Sequence, residues 1–173
     1  MLVNAFRNMS GESAKDARLR RNPFLRVEEL LETDEGLLAP LIGALRRACE
    51  LSARFHDLAA PLYPMHGRIT QIRAGTFVMP ARGIVLPRAV AEKRRTPSFG
   101  GALWLNDDFK GGHAYFTGLD MTVKSRPRRY IGHTATSTHE LAWLRVTSGA
   151  MVTMSLVMGL APDDMSPLLR RHF

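Results

Sequence analysis

The sequence predicts a mainly β domain with helices, a jelly roll or β-sandwich backed by one long helix. Three observations predict it. One strong apolar stripe of helical period precedes residue 61, short apolar segments cut by Gly, Pro and Asn fill the chain from residue 68 onward, and 173 residues suit one domain with its own core.

Residues 1–22 mix Asn, Ser, Gly, Lys and Arg and are expected to form a flexible basic arm, which leaves 23–173 as a single domain. Val27, Leu30 and Leu31 predict a short helix over 26–32. The long helix is expected over 36–60, where Leu37, Leu38, Leu41, Leu45, Leu51, Phe55 and Leu58 recur mostly at three- and four-residue steps. Pro40 falls in its opening turn, where proline is tolerated, and Pro61 and Pro64 end it. Strands are expected at 69–77, 83–86, 102–105, 113–117, 121–123, 130–133, 143–146 and 151–158, and a short helix within 162–173.

An apolar fraction of 45% and a charged fraction of 23% are those of an ordinary globular protein. The single cysteine, Cys49, excludes an internal disulfide framework and is expected to be a small buried apolar residue. No apolar run approaches the roughly 20 residues needed to span a membrane. The N-terminus places basic residues after a short apolar start, the reverse of a secretory signal, so a cytoplasmic location is expected. The net charge of +8 favours anionic ligands or partners. Its clusters, Arg18 to Arg21, Lys93 to Arg95 and Arg126 to Arg129, lack interleaved aromatics, which argues against a nucleic-acid partner.

The segment from Trp104 to Phe116, WLNDDFKGGHAYF, carries the sharpest signal. Asn106, Asp107 and Asp108 are turn formers, and Gly111-Gly112 lets the chain reverse into a second strand. With Leu119-Asp120 behind it, this segment resembles the hairpin of the prolyl-hydroxylase branch of iron(II)/2-oxoglutarate dioxygenases, and most of all the prolyl 3-hydroxylase (leprecan) catalytic domain. Val146-Thr147-Ser148-Gly149 and the following strand resemble that family's closing hairpin and last strand. The resemblance covers roughly residues 37–160 and implies a distorted double-stranded β-helix, with the long helix packed on its outer sheet.

It also implies a two-histidine, one-carboxylate iron site with an arginine or lysine holding the far carboxylate of 2-oxoglutarate. The sequence departs from that pattern at each place. Between Thr76 and Leu105 there is no His and no Asp, only Glu92, and Arg82 stands near where the cation would bind. The position matching the distal histidine without gaps is Leu141; His139 fills it only with a two-residue insertion. Met151 stands at the anchor position, two residues after Gly149, and a thioether cannot replace a guanidinium. In strand alternation Met151, Thr153 and Ser155 share one face, and Val152, Met154, Leu156 and Met158 the other.

Six histidines remain as candidates for other chemistry. His56 and Asp57 are adjacent on the long helix and diverge by about 100°, so they read as surface groups, as does His66. His113, His133 and His139 could converge on the barrel interior as a rearranged metal site or a metal-free acid/base group. No nucleophile elbow or phosphate loop occurs.

The leading expectation is therefore a divergent relative of the oxygenases without bound iron or any other cofactor. It takes an organic substrate, free or carrier-bound and favoured by the charge to be anionic, for cyclisation, isomerisation or elimination. His139, His133 and His113 are the catalytic candidates, and Arg82, Met151, Thr153, Tyr115 and Trp104 the substrate-binding ones. The alternatives are a non-catalytic binding subunit and a true iron(II)/2-oxoglutarate hydroxylase with unusual ligands; a homodimer is compatible with any of the three.

Overall fold

A computed structural model describes residues 24–33, 35–81 and 99–173. The expected arm at 1–22, the expected strand at 83–86 and the Lys93 to Arg95 cluster lie outside them. Two helices and a short strand open the fold: β1 (Phe24–Arg26), α1 (Val27–Thr33) and α2 (Glu35–Phe55). The strands that follow are β2 (Tyr63–Arg73), β3 (Val78–Ala81), β4 (Phe99–Trp104), β5 (Phe109–Gly111), β6 (Ala114–Phe116), β7 (Met121–Val123), β8 (Tyr130–Thr134), β9 (Leu141–Trp143) and β10 (Val146–Gly159). A four-residue helix α3 (Pro167–Arg170), capped by the Ser166 hydroxyl, ends the chain.

The strands form two sheets. The larger runs β1-β2-β10-β4-β8, with β5 added against the start of β10; the smaller runs β3-β9-β6-β7. Helices α1 and α2 cover one face of the larger sheet. There Val27, Leu30, Leu37, Leu41 and Leu45 bury themselves against Ile69, Met154 and Leu156. The other face meets the smaller sheet through Ile72, Ala102, Trp104 and Met151 on one side and Ala114 and Trp143 on the other. This is a jelly roll backed by a helix, and it does not close into a barrel. Strand β8 ends one sheet and β7 the other.

The alternation expected for the last strand holds. On the 14-residue β10, Met154 and Leu156 pack under the helices and Met151 packs between the sheets. Other boundaries shift. Helix α2 ends at Phe55 rather than at residue 60, because Asp57 turns back with a positive φ of 50° and the Leu58 N–H closes onto the Ala53 carbonyl. Strand β2 then begins at Tyr63 and passes through Pro64, at a β-bulge in its pairing with β10. Strand β4 begins at Phe99, three residues earlier than expected, because Gly100 and Gly101 are inside the strand rather than ahead of it.

The LNDDF segment works as a clasp. Asn106 is buried, accepts the Val152 N–H at 2.7 Å and donates to the Ala150 carbonyl at 2.7 Å, so its side chain ties the loop after β4 to β10. Its amide also donates to Asp108. The two reversals beside it need glycine: Gly111 and Gly149 have φ of 77° and 73°, and a Cβ at either would strike a backbone carbonyl, of Arg145 and Asp108 respectively.

Candidate functional site

The inner face of the larger sheet, turned toward the smaller sheet, divides into an apolar end and a polar end. At the apolar end Met151 is wholly buried with Ile72, Trp104, Trp143 and Val146. The Trp104 and Trp143 rings meet edge to face, their centroids 5.3 Å apart, and the Trp104 indole N–H donates to the Gly112 carbonyl at 3.2 Å. Thr153, also fully buried, faces the same way; among the described residues its hydroxyl finds no hydrogen-bond partner.

The polar end is built from β8, the turn after it and the end of α2. On β8, Tyr130 and Gly132 face the helix, while Ile131 and His133 face inward. The Tyr130 hydroxyl lies 2.6 Å from Ser52 Oγ on α2, and burial pushes its phenol up to about 12. The paired glycines of β4 make room for both rings. A side chain at Gly100 would run into the His133 imidazole, and one at Gly101 into the Tyr130 ring. His133 is buried and its Nδ1 donates to the Thr134 carbonyl at 3.0 Å, which leaves Nε2 as the lone-pair nitrogen of the neutral ring. Desolvation holds its pKa below the ordinary histidine value, and the neighbouring His139 and His56 push the same way.

His139 sits on the 3-10 turn Ser137–His139, with Nδ1 2.9 Å from the hydroxyls of both Thr134 and Thr136. Its ring lies nearly parallel to that of His133, centroids 6.4 Å apart and planes 22° apart. Phe116 from β6 meets both rings edge-on, at 5.4 Å from His133 and 6.3 Å from His139. His56 lies at the end of α2, on the helix side. Its ring is 4.9 Å from Phe99, its Nε2 is buried without a partner among the described residues, and burial lowers its pKa, with His139 adding to the effect.

The cluster therefore contains two of the three expected catalytic histidines, with His56 against Phe99 on the helix side. His113 stands apart, before β6, with its Nδ1 3.1 Å from the Ser125 N–H and 3.1 Å from the Ser125 hydroxyl. Tyr115 points the other way from the interior. Its neighbours Ala114 and Phe116 take the buried positions, and its hydroxyl donates to Asp120 at 2.8 Å on the outside. Arg82 lies outside the described residues. Trp104, Met151 and Thr153 all face inward.

Neither His56 nor Arg68 stands out in the sequence. His56 reads as one more polar residue at a helix end, where its N–H still bonds the Ser52 carbonyl and its ring meets Phe99. Arg68 pairs with Ser155 and alternates with the helix-facing Ile69, so it shares the inner face with Ser155 and Thr153, and burial lowers its pKa. The alternating RITQIR of β2 was the available signal for it.

No family model and no curated protein matches the chain. Solved structures do match. A viral collagen prolyl hydroxylase from Paramecium bursaria Chlorella virus-1, in its 2OG complex, aligns with a TM-score of 0.64 at 13% identity, covering 92% of this chain and 87% of that one. A Pseudomonas putida prolyl-4-hydroxylase aligns at 0.58 and 11%, covering 92% and 83%. A prolyl 4-hydroxylase from Phytophthora capsici aligns at 0.55 and 14%, covering 95% of this chain and 55% of that one. At such identities these likenesses show the fold, and nothing in them singles out a prolyl 3-hydroxylase.

Among the described residues no three His, Cys, Asp or Glu side chains converge as a metal site. Met151, expected at the anchor position, is buried, and Leu141, expected at the ungapped distal position, lies on β9. By its architecture, this chain has the jelly-roll fold of the prolyl-hydroxylase-like 2OG-Fe(II) oxygenases.

Proposed function

We propose that this chain binds an organic, anionic ligand between its two sheets and acts on it without iron or 2-oxoglutarate. The observation that carries the reading is the pairing of a desolvated, neutral-poised His133 with His139 at one end of the inner face, while the anchor end is filled by Met151. In this reading His133 accepts a proton from the ligand at Nε2 and returns it to a neighbouring ligand atom, a net isomerisation in which no electron is gained or lost. His139, held by two threonine hydroxyls, orients beside it, and Phe116 keeps water from the rings. Arg68, on the same face, supplies positive charge for a carboxylate.

Calorimetric titration of the full chain with iron(II) or manganese(II), with and without 2-oxoglutarate, tests the reading. No stoichiometric heat is expected. Tight one-to-one metal binding strengthened by 2-oxoglutarate would overturn it and restore the hydroxylase alternative.

A second reading, a non-catalytic binding subunit, is favoured by one specific observation. The end of the interior that would hold a cosubstrate is packed solid by Met151, Trp104 and Trp143. It predicts that substituting His133 and His139 by glutamine leaves every activity of the protein unchanged.

A further inference from the structure

The seam that keeps the two sheets from closing is also a groove of about 670 Å³. Its lining includes Tyr130, Ile131 and Gly132, three consecutive residues of β8. Tyr130 and Gly132 face α2 and Ile131 faces the smaller sheet. A cavity lined from both faces of one strand must run along that strand's edge. The edge in question has no strand neighbour among the described residues, since β8 ends the larger sheet. Exposed edges are usually guarded by Lys or Pro, and Tyr130-Ile131-Gly132-His133-Thr134 has neither.

The walls are apolar and unfinished. Phe55 continues the buried stripe of α2 past the end of the sheet and is 77% exposed, and Met121 on β7 opposite is 44% exposed. The polar groups at the rim are of one sign, Arg54 on α2 and Arg128 before β8, both exposed. That charge, within a chain of net +8, opposes a second copy at this seam and favours an acidic partner.

We propose that the edge of β8 takes an extended acidic peptide segment of a partner protein as an added strand, filling the seam between β8 and β7. The partner's main chain continues the ladder beyond β8. Its apolar side chains alternate between the Phe55 side and the Phe116–Val123 side, and its carboxylates meet Arg54 and Arg128. Among the described residues that line the groove there is no histidine, and Phe116 is the one lining residue that also touches the interior rings.

The test uses the isotope-labelled full chain and a capped peptide with a valine–threonine core flanked by glutamates. Binding is expected to shift the amide signals of β8 and to weaken with salt. Methylating alternate backbone nitrogens of the peptide, or introducing Arg54→Glu, is expected to weaken binding by about tenfold or more, roughly the loss of one or two charge-assisted or ladder hydrogen bonds. Equal binding of the N-methylated peptide, equal binding of a counterpart flanked by lysines, or no binding at all would each overturn the proposal.

Discussion

At the residue scale, His133 shows most clearly how packing sets chemistry. Its pKa is held below the ordinary value of 6.5 by burial, so in the folded state it stays neutral where the unfolded chain takes up a proton. The sign follows: the stability that the neutral ring contributes is present above the unfolded value and is lost as pH falls through that value toward the folded one. His56 is shifted the same way and adds to the effect. Acidification from neutral pH should therefore lower the melting temperature, and His133→Gln should flatten that dependence. A melting curve series across the histidine range checks this. Asn106 makes a second residue-scale case. Asn106→Ala removes the acceptor of the buried Val152 N–H and the donor to the Ala150 carbonyl, and should cost about 2 to 3 kcal/mol in denaturant unfolding.

At the element scale, the same substitution has opposite consequences in the helix and in the last strand. Gly43 lies on the exposed side of α2, and a methyl group added there would have nothing within 4 Å, so Gly43→Ala should stabilise by roughly 0.5–1 kcal/mol through helix propensity. Gly149 has a φ of 73° and meets the Asp108 carbonyl, so Gly149→Ala should destabilise by at least about 1–2 kcal/mol and loosen β5 from β10. Urea unfolding of the two variants side by side checks both signs. Much at this scale was legible in the sequence. The stripe Leu37, Leu41 and Leu45 marked α2, and the alternation from Met151 to Met158 gave both faces of β10. Boundaries were less legible where a residue type carries two meanings. Gly100-Gly101 looks like punctuation but lies within β4, where the missing side chains admit the rings of His133 and Tyr130.

At the scale of the whole molecule, the inner face is divided between a packed apolar end and a polar end, and the packed end constrains engineering. Met151→Arg would bring back the residue type expected for a 2-oxoglutarate anchor. It places a guanidinium among Ile72, Trp104, Trp143 and Val146 at a site with no exposure, and should destabilise by several kcal/mol without conferring 2-oxoglutarate binding. Thermal unfolding of this variant with and without 2-oxoglutarate reads both effects, and a rescue of stability by the cosubstrate would contradict the account.

The sequence by itself determined the architecture and the donors available to it. Periodicity is written in neighbouring residues, and a missing His or Asp between Thr76 and Leu105 is missing in any fold. Tertiary structure decided which of the remaining groups meet. His133 and His139 are brought together across the turn after β8, His56 is set against Phe99 from a helix far earlier in the chain, and His113 is left with Ser125. Such meetings depend on how two sheets and a helix pack and on where a sheet ends, and no local pattern of residues encodes that distance. The same holds for the groove along β8, where Phe55 keeps the helical spacing of a core residue and is exposed because the sheet beneath it has run out.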